Sequence, residues 1–311
     1  MDPEFEVVIA GGGIAGTTAA VTAARLGRKT LVLTGDVPGG QLISIEKIEG
    51  YPGFPEGVPG YDLCPMLQEQ AAAAGAEFMM TGLERLDPQD GQWCVTTGEG
   101  DILARAVIVA TGSSLKKLDV PGEERLTGNG VSHCASCDAP LFRDRIVAAV
   151  GGGDSAMQEA LTLAAFASRV IILHRGDVLT GQAYYRDRVT AHQKIEIRFN
   201  TVVTEILGEA KVTGLRTRTS HEGAVADLDV DAIFAYVGLQ PNTAVLQDRL
   251  SLDLAGRIPT DGWMRSERVG ICAAGTVRCQ SPNRAVSAAG DGASAAVAAD
   301  RYLTDGSWRD G

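Results

Sequence analysis

No stretch of the 311 residues approaches the uninterrupted apolar length that a membrane-spanning helix needs; the alanine-rich runs are broken by Arg, Gly or Glu. Positive charge is short as well. With 28 Lys and Arg against 39 Asp and Glu, the formal net charge of −11 sets the surface potential against phosphate backbones and anionic membranes, so neither nucleic acid nor membrane is an expected partner. The opening MDPEF has no apolar segment and no small-residue cleavage site, so Met1 to Glu4 read as a cloning remnant rather than a signal, and the expected compartment is the cytoplasm. Cysteines are few and mostly isolated. Cys64, Cys94, Cys272 and Cys279 form no second Cys-x-x-Cys and no Cys/His cluster, which argues against a four-ligand zinc site and leaves them as plain buried thiols.

What the chain does have is a hydrophobic content of 45%, enough to fill the cores of two domains, and one organising feature used twice. FEVVIAGGGIAGTTAAVTAARLG reads as a buried strand, a glycine turn and a helix, and RIVAAVGGGDSAMQEALTLAAFA repeats that order in mid-chain. In the first, Gly11, Gly13 and Gly16 supply the tight turn, the close approach to a pyrophosphate and the helix-to-strand packing, with Ile14 and Ala15 opening the helix; the second uses Gly151 and Gly153, with Ala156 in the third place. Each is followed by another strand, KTLVLTG with Thr34 next to its end and RVIILHR ending at Arg175. In both, the helix N-terminus faces the anion.

The rest is coarser. The stretch Gly35 to Gly60 is rich in Gly and Pro and reads as a functional loop, YDLCPMLQEQAAAAG as a helix, and GQWCVTTGEGDILARAVIVATGS as a hairpin ending at Ala110-Thr111-Gly112. LKKLDVPGEERLTGNG reads as a polar linker, DAIFAYVGLQPNT and RVGICAAGTV as strands, and the segment from Asn283 to Leu303 as a helix rich in small residues. Trp308, near the end, reads as part of a disordered tail, the alternative being a ring that stacks on a flavin or fills a nicotinamide site.

SHCASCDAP places Cys134 and Cys137 just ahead of the second glycine turn, with Asp138 directly after. At a helix start the dipole and unsatisfied N–H groups stabilise a thiolate, so such a pair can cycle between dithiol and disulfide at neutral pH. In a reducing compartment that chemistry is redox rather than a permanent staple.

With two fingerprints, CASCD before the second, GGQL in the first loop (Gly40, Gln41, Leu42), VATG closing the first domain, PNT at the return crossing and AAG before the last helix, the chain resembles the bacterial-type thioredoxin reductases from Phe5 to about Leu303. The resemblance implies an α/β protein of two dinucleotide-binding Rossmann-like, three-layer ββα domains, the second inserted into the first. Residues 5–115 and 244–311 would bind FAD, and 116–243 would bind a pyridine nucleotide and carry the cysteines. It implies a homodimer, Cys137 as the sulfur facing the flavin, Cys134 as the one that attacks a thioredoxin-like partner, and Asp138 as the acid that protonates a leaving thiolate. His133 either shares that proton work or simply packs. The implied FAD residues are those of the first glycine turn, Thr34, Gly40 to Leu42, Ala110 to Gly112, Gly275, Thr276 and Asn283 to Ala285; a pyridine nucleotide would meet Gly151, Gly153, Ser155, Ala156 and Arg175.

The resemblance fails in two places. Where the family has His-Arg-Arg and a further Arg four residues on, the chain reads HRGDVLTG: Arg175 remains, but Gly176 and Thr180 stand at the other arginine positions. Hydrogen bonds to charged groups contribute about 1.5 to 3 kcal/mol each, so lacking two weakens NADPH binding by about two to four decades and makes NADPH doubtful. No carboxylate ends that strand in their place, so NADH is not signalled either. Near the flavin, Thr276 replaces the family's Asp, and Asn283-Arg284-Ala285 replaces Arg-Gln-Ala.

Three readings stand: a reductase of this type fed by ferredoxin or a flavin carrier, with a dithiol oxidase as a variant; a conventional NADPH enzyme whose phosphate site is rebuilt, with Arg186 and Arg188 as candidates; and a flavin-binding redox sensor. A basic patch built from FRDR (Phe142 to Arg145) and YYRDR would favour a carrier protein as donor.

Overall fold

The computed structural model describes residues 4–219 and 223–308; Met1 to Pro3 and Arg309 to Gly311 lie outside them. The chain forms two compact units, Met1–Ser114 with Gln240–Gly311, and Leu115–Leu239. In chain order the first unit opens with β1 (Phe5–Ala10), α1 (Ile14–Arg25), β2 (Thr30–Leu33), α2 (Gly60–Ala73), β3 (Glu77–Met79), β4 (Arg85–Gln89), β5 (Gln92–Thr97), β6 (Gly100–Val109) and the crossing strand β7 (Ser113–Leu115). The second contains α3 (Glu123–Leu126), β8 (Val131–Ser132), α4 (Ala135–Asp138), β9 (Ile146–Val150), α5 (Asp154–Ala164), β10 (Arg169–Leu173), α6 (Ala183–Ala191), β11 (Ile195–Arg198), β12 (Thr201–Leu207), β13 (Gly214–Thr219), β14 (Val225–Leu228) and β15 (Ala232–Ala235). The return crosses at β16 (Leu239–Pro241), which pairs with β7, and ends with β17 (Ile271–Ala273) and α7 (Ala285–Asp305).

In the first unit the sheet runs β3-β2-β1-β6-β5-β4, with β17 also on β6. Strand β6 serves both layers: its Ala104–Val109 half pairs in parallel with β1, and its Gly100–Ala104 half pairs antiparallel with β5. The continuous apolar run of β1 is what a strand covered on both faces requires. Alternate side chains divide between the covers, Val7 and Ile9 packing with Ala19, Ala20 and Ala23 of α1 and the alanines of α7, Val8 packing with Leu86, Val95 and Ile271. Small residues let α1 and α7 close on each other: a Cβ on Gly292 would lie 2.1 Å from the Ala15 carbonyl oxygen.

The second unit repeats the scheme. Its parallel sheet runs β11-β10-β9-β15-β8, and β12-β13-β14 form an antiparallel layer. Val147 and Ala149 of β9 pack toward α5, while Ala148 and Val150 pack with Val203, Ile206 and Leu215 of the antiparallel layer. Both units thus have the parallel sheet, helix and antiparallel layer of the three-layer ββα fold.

Three segments differ from expectation. The stretch after Leu115 is not a polar linker: Leu126 is fully buried, and the buried Glu123 carboxylate accepts the Leu118 and Asp119 N–H groups at 2.9 and 2.8 Å, folding the segment onto the second unit's core. The return crossing falls at Leu239–Gln240, before Asn242 and Thr243, because both are bonded within the first unit, Asn242 N–H to Gly112 and Thr243 Oγ1 to Gly256. Trp308 belongs to no disordered tail but to the first unit's core. It is 6% exposed among Tyr302, Leu303 and Met264, its ring is 5.4 Å edge-on from Tyr302, and its indole N–H donates to Ser266 O at 3.2 Å.

Candidate active site

At the end of β1 the backbone turns through Gly11 at φ 122°, where a Cβ would lie 2.2 Å from the Ala110 carbonyl oxygen; a Cβ on Gly16 would lie 1.8 Å from Gly11 O. Only glycine lets β1, α1 and the end of β6 approach this closely. Gly13 differs. It caps α1 without any side-chain hydrogen bond, and a Cβ there would meet nothing nearer than Gly39 O at 4.0 Å. The uncapped start of α1, with the positive end of its dipole beside the open side of Gly13, is a cradle of the kind that takes a pyrophosphate.

The other expected first-unit residues gather around this cradle unevenly. Gly39 N–H donates to Gly12 O at 3.1 Å, drawing the glycine-rich loop over the turn, and a short 3-10 turn, Gly40–Ser44, carries Gln41, whose side-chain amide donates to Ser113 O at 2.8 Å. Leu42 and Ala285 join Ile14 in one apolar cluster. Thr111 and Asn242 exchange hydrogen bonds, Thr111 Oγ1 to Asn242 O and Asn242 Nδ2 to Thr111 O, across the turn at Gly112. Thr34 is buried with its hydroxyl donated to Gly35 O, and Asn283 and Arg284 are exposed at the lead into α7.

Thr276 is engaged within the protein, its Oγ1 accepting the Ser113 hydroxyl at 2.9 Å. The carboxylate in this region is a residue the sequence did not flag. Asp291, 6% exposed on α7, accepts the Gly275 N–H at 3.1 Å and forms a bidentate pair with Arg278 at 2.7 and 2.8 Å. The pair fixes the turn after β17 to α7 one residue from Thr276.

In the second unit, Cys134 and Cys137 form a disulfide with Cα atoms 5.3 Å apart. Cys134 is the N-cap of α4, and its Sγ accepts the Cys137 N–H at 3.2 Å, while its own N–H donates to Ser132 Oγ at 3.1 Å. Cys137 is exposed; Cys134 and Asp138 are half-buried. His133 Nδ1 lies 3.1 Å from Ala235 O, which ties the ring to β15. The other thiols are unlike this pair: burial pushes Cys64 and Cys272 up, and burial followed by Asp253 at 3.3 Å pushes Cys279 up to about 11. Among the described residues no cluster of His, Cys, Asp and Glu could hold a metal ion.

The second glycine turn has the same backbone and different surroundings. Gly151 turns at φ 146° against Tyr236 O, and Gly153 caps α5 at a point where a side-chain methyl would meet no atom within 4 Å. Over Gly152, however, lies the buried His174 ring, 2.3 Å from where a Cβ would stand. Thr180, at a position where the resemblance expects arginine, points the other way: its N–H and its hydroxyl both donate to Gly152 O, at 2.8 and 3.2 Å. Asp154 at the helix start accepts the Gln182 N–H at 2.6 Å, and Ser155 and Arg175 are exposed. Arg188 stacks on Tyr184 at 5.0 Å, Arg143 on Phe166 at 5.3 Å, and Arg145 faces Asp231 at 3.8 Å.

Residues 5–292 match the pyridine nucleotide-disulphide oxidoreductase family. The chain is 37% identical to a thioredoxin reductase of Treponema pallidum over 97% of its length and 98% of that protein, and 39% identical to one of Mycolicibacterium smegmatis over 96% and 97%. Among solved structures, the Lactococcus lactis thioredoxin reductase superposes with a TM-score of 0.94 at 36% identity, covering 97% of this chain and 100% of that one.

Proposed function

The chain belongs to the bacterial-type thioredoxin reductases and is a flavin-dependent disulfide oxidoreductase, and from that premise we propose that it reduces a thioredoxin-like protein through Cys134 and Cys137 with electrons from a donor other than NADPH. The observation that carries the acceptor half is the disulfide at the N-cap of α4, with the Cys137 amide on the Cys134 sulfur. The cradle of Gly11, Gly13 and Gly16, with its uncapped helix start, fits a dinucleotide such as FAD, with Gln41, Gly112, Gly275 and Thr276 around it. When bound, FAD supplies the two-electron reducing chemistry.

The protein's own residues do the exchange. Once the pair is reduced, the Cys134 thiolate attacks one sulfur of the partner's disulfide, forming a mixed disulfide and expelling a partner thiolate that takes a proton from Asp138. Cys137, its thiol proton taken up by Asp138, then attacks Cys134 Sγ, expelling the second partner thiolate, which receives that proton, and re-forming the Cys134–Cys137 disulfide. The Cys137 N–H, aimed at Cys134 Sγ, stabilises charge on that sulfur.

For the donor, the support lies in the second glycine turn: Gly176 offers no side chain, Thr180 binds Gly152, and Arg175 is the guanidinium left of the three that the resemblance expects.

The test is an anaerobic titration of the oxidised holoenzyme with NADPH, NADH, reduced free flavin, reduced ferredoxin and dithionite in parallel, following the visible absorbance of the oxidised flavin. Bleaching by dithionite and a carrier, with NADPH ineffective at stoichiometric amounts, is expected; stoichiometric bleaching by NADPH overturns the donor half. A dithionite-reduced enzyme that leaves a thioredoxin disulfide intact overturns the acceptor half.

A further inference from the structure

Strands β8 and β15 pair with Phe234 opposite Ser132, and two residues farther along, the phenol of Tyr236 meets the redox helix. Its oxygen accepts the N–H of Ala135, the first residue of α4, at 3.2 Å. Ala135 is fully buried, so this amide has no access to water, and the phenol is the acceptor it has. Tyr236 is itself held from behind: its N–H donates to Val150 O at 2.8 Å, and its carbonyl abuts Gly151 of the glycine turn.

The amides around the cysteines are thus divided among different acceptors. Cys134 N–H goes to Ser132, Ala135 N–H to Tyr236, Cys137 N–H to the Cys134 sulfur and Asp138 N–H to Cys134 O. A four-residue helix has little internal bonding to hold its first turn in place. Burial, followed by the field of Glu159, buried on α5, and then that of Asp138, raises the Tyr236 pKa well above its ordinary value, so the phenol stays neutral. On the other side of the segment, His133 turns its Nδ1 to Ala235 O, away from the phenol oxygen's role.

We propose that Tyr236 is a positioning residue for the reduced cysteine pair: by holding the first amide of α4, it keeps the Cys137 N–H aimed at Cys134 Sγ when that sulfur carries thiolate charge. The inference rests on the disulfide chemistry proposed above. Its consequence is thermodynamic. Stabilising the reduced pair makes the disulfide a better oxidant, so loss of the phenol oxygen leaves the disulfide harder to reduce.

The holoenzyme and Tyr236→Phe are equilibrated anaerobically at pH 7 with mixtures of reduced and oxidised dithiothreitol, each protein disulfide reduced forming one cyclic dithiothreitol disulfide. Thiols are then trapped with N-ethylmaleimide, and the peptide containing Cys134 and Cys137 is weighed by mass spectrometry. The equilibrium constant for reduction should fall about threefold to tenfold in the variant, tenfold being about 30 mV for this two-electron couple, with flavin content and spectrum unchanged. Coincident curves, or a shift of opposite sign, overturn the proposal. Should Tyr236→Phe fail to fold, 3-fluorotyrosine placed at position 236 keeps the shape and weakens the acceptor; a smaller shift of the same sign is expected, and coincidence with the parent overturns the role. A parent pair that dithiothreitol does not reduce at all sinks the disulfide chemistry itself, an outcome distinct from failure of the Tyr236 role.

Discussion

The two glycine turns follow the same backbone path and differ in what lies over them. Gly13 and Gly153 alike open onto space and neither α1 nor α5 starts with a side-chain cap; in the first unit Thr34 lies 3.0 Å from where a Cβ on Gly12 would stand, and the loop above is held at its far side by Gln41 on Ser113. In the second, His174 covers Gly152, Thr180 is bonded to the Gly152 carbonyl, and Asp154 holds Gln182 at the helix start. A glycine fingerprint fixes how a strand turns into a helix. What the turn binds is decided by side chains delivered from the end of the next strand.

The comparison breaks most sharply at one glycine from each turn. Gly16→Ala forces a methyl group onto Gly11 O, an overlap worth on the order of 3 kcal/mol or about a hundredfold in flavin affinity, whereas Gly153→Ala enters open space and leaves flavin content untouched. The ratio of flavin absorbance to protein for the two purified variants measures this. If Gly153→Ala instead slows reduction by a nicotinamide, the second turn is a working site and the contrast disappears.

A second change sharpens the contrast. Gly176→Arg combined with Thr180→Arg returns the two guanidinium groups and frees Gly152 O from the threonine hydroxyl, so NADPH should bleach the flavin at concentrations about two decades lower than in the parent. A Cβ at position 176 approaches His174 Nε2 to 2.9 Å, so the ring must swing aside. No gain in the double variant would mean that His174 over Gly152, rather than missing charge, closes the turn.

A third difference separates the thiols. With its pKa pushed up to about 11 by burial and by Asp253, Cys279 remains a protonated thiol as pH rises past the range where an ordinary cysteine, near 8.5, becomes thiolate. At pH 9 it carries roughly a hundredfold less thiolate, so timed iodoacetamide labelling read by peptide mass should spare it while modifying the reduced Cys134–Cys137 pair. Fast labelling of Cys279 at that pH would show that its contact with Asp253 does not persist in solution.

The parts legible in the sequence are those set by local rules. Strands β1 and β9 announce themselves because a strand covered on both faces must be apolar throughout, and Gly11, Gly16 and Gly151 because no other residue fits where the backbone closes on itself. The cysteine pair is legible from spacing. What escaped notice depends on distant partners. Glu123 looks like a surface acid until the Leu118 and Asp119 amides fold onto it. Trp308 looks like a loose tail until Ser266 and Tyr302 are brought to it, and Arg278 and Asp291 pair only because the turn after β17 meets α7. Tyr236 reaches Ala135 through the β8–β15 pairing, which joins segments a hundred residues apart and leaves no periodic trace.

Strands β7 and β16, through which the chain leaves the first unit and re-enters it, run side by side. The two severed ends of an excised second unit would therefore stand about one strand spacing apart, roughly 4.8 Å, and a tight turn could suture Ser114 to Gln240 with the seven-stranded sheet undisturbed. The seam makes the cysteine-bearing half of the molecule a cassette. A different second unit could be joined at the same seam with the first unit's sheet left as it is.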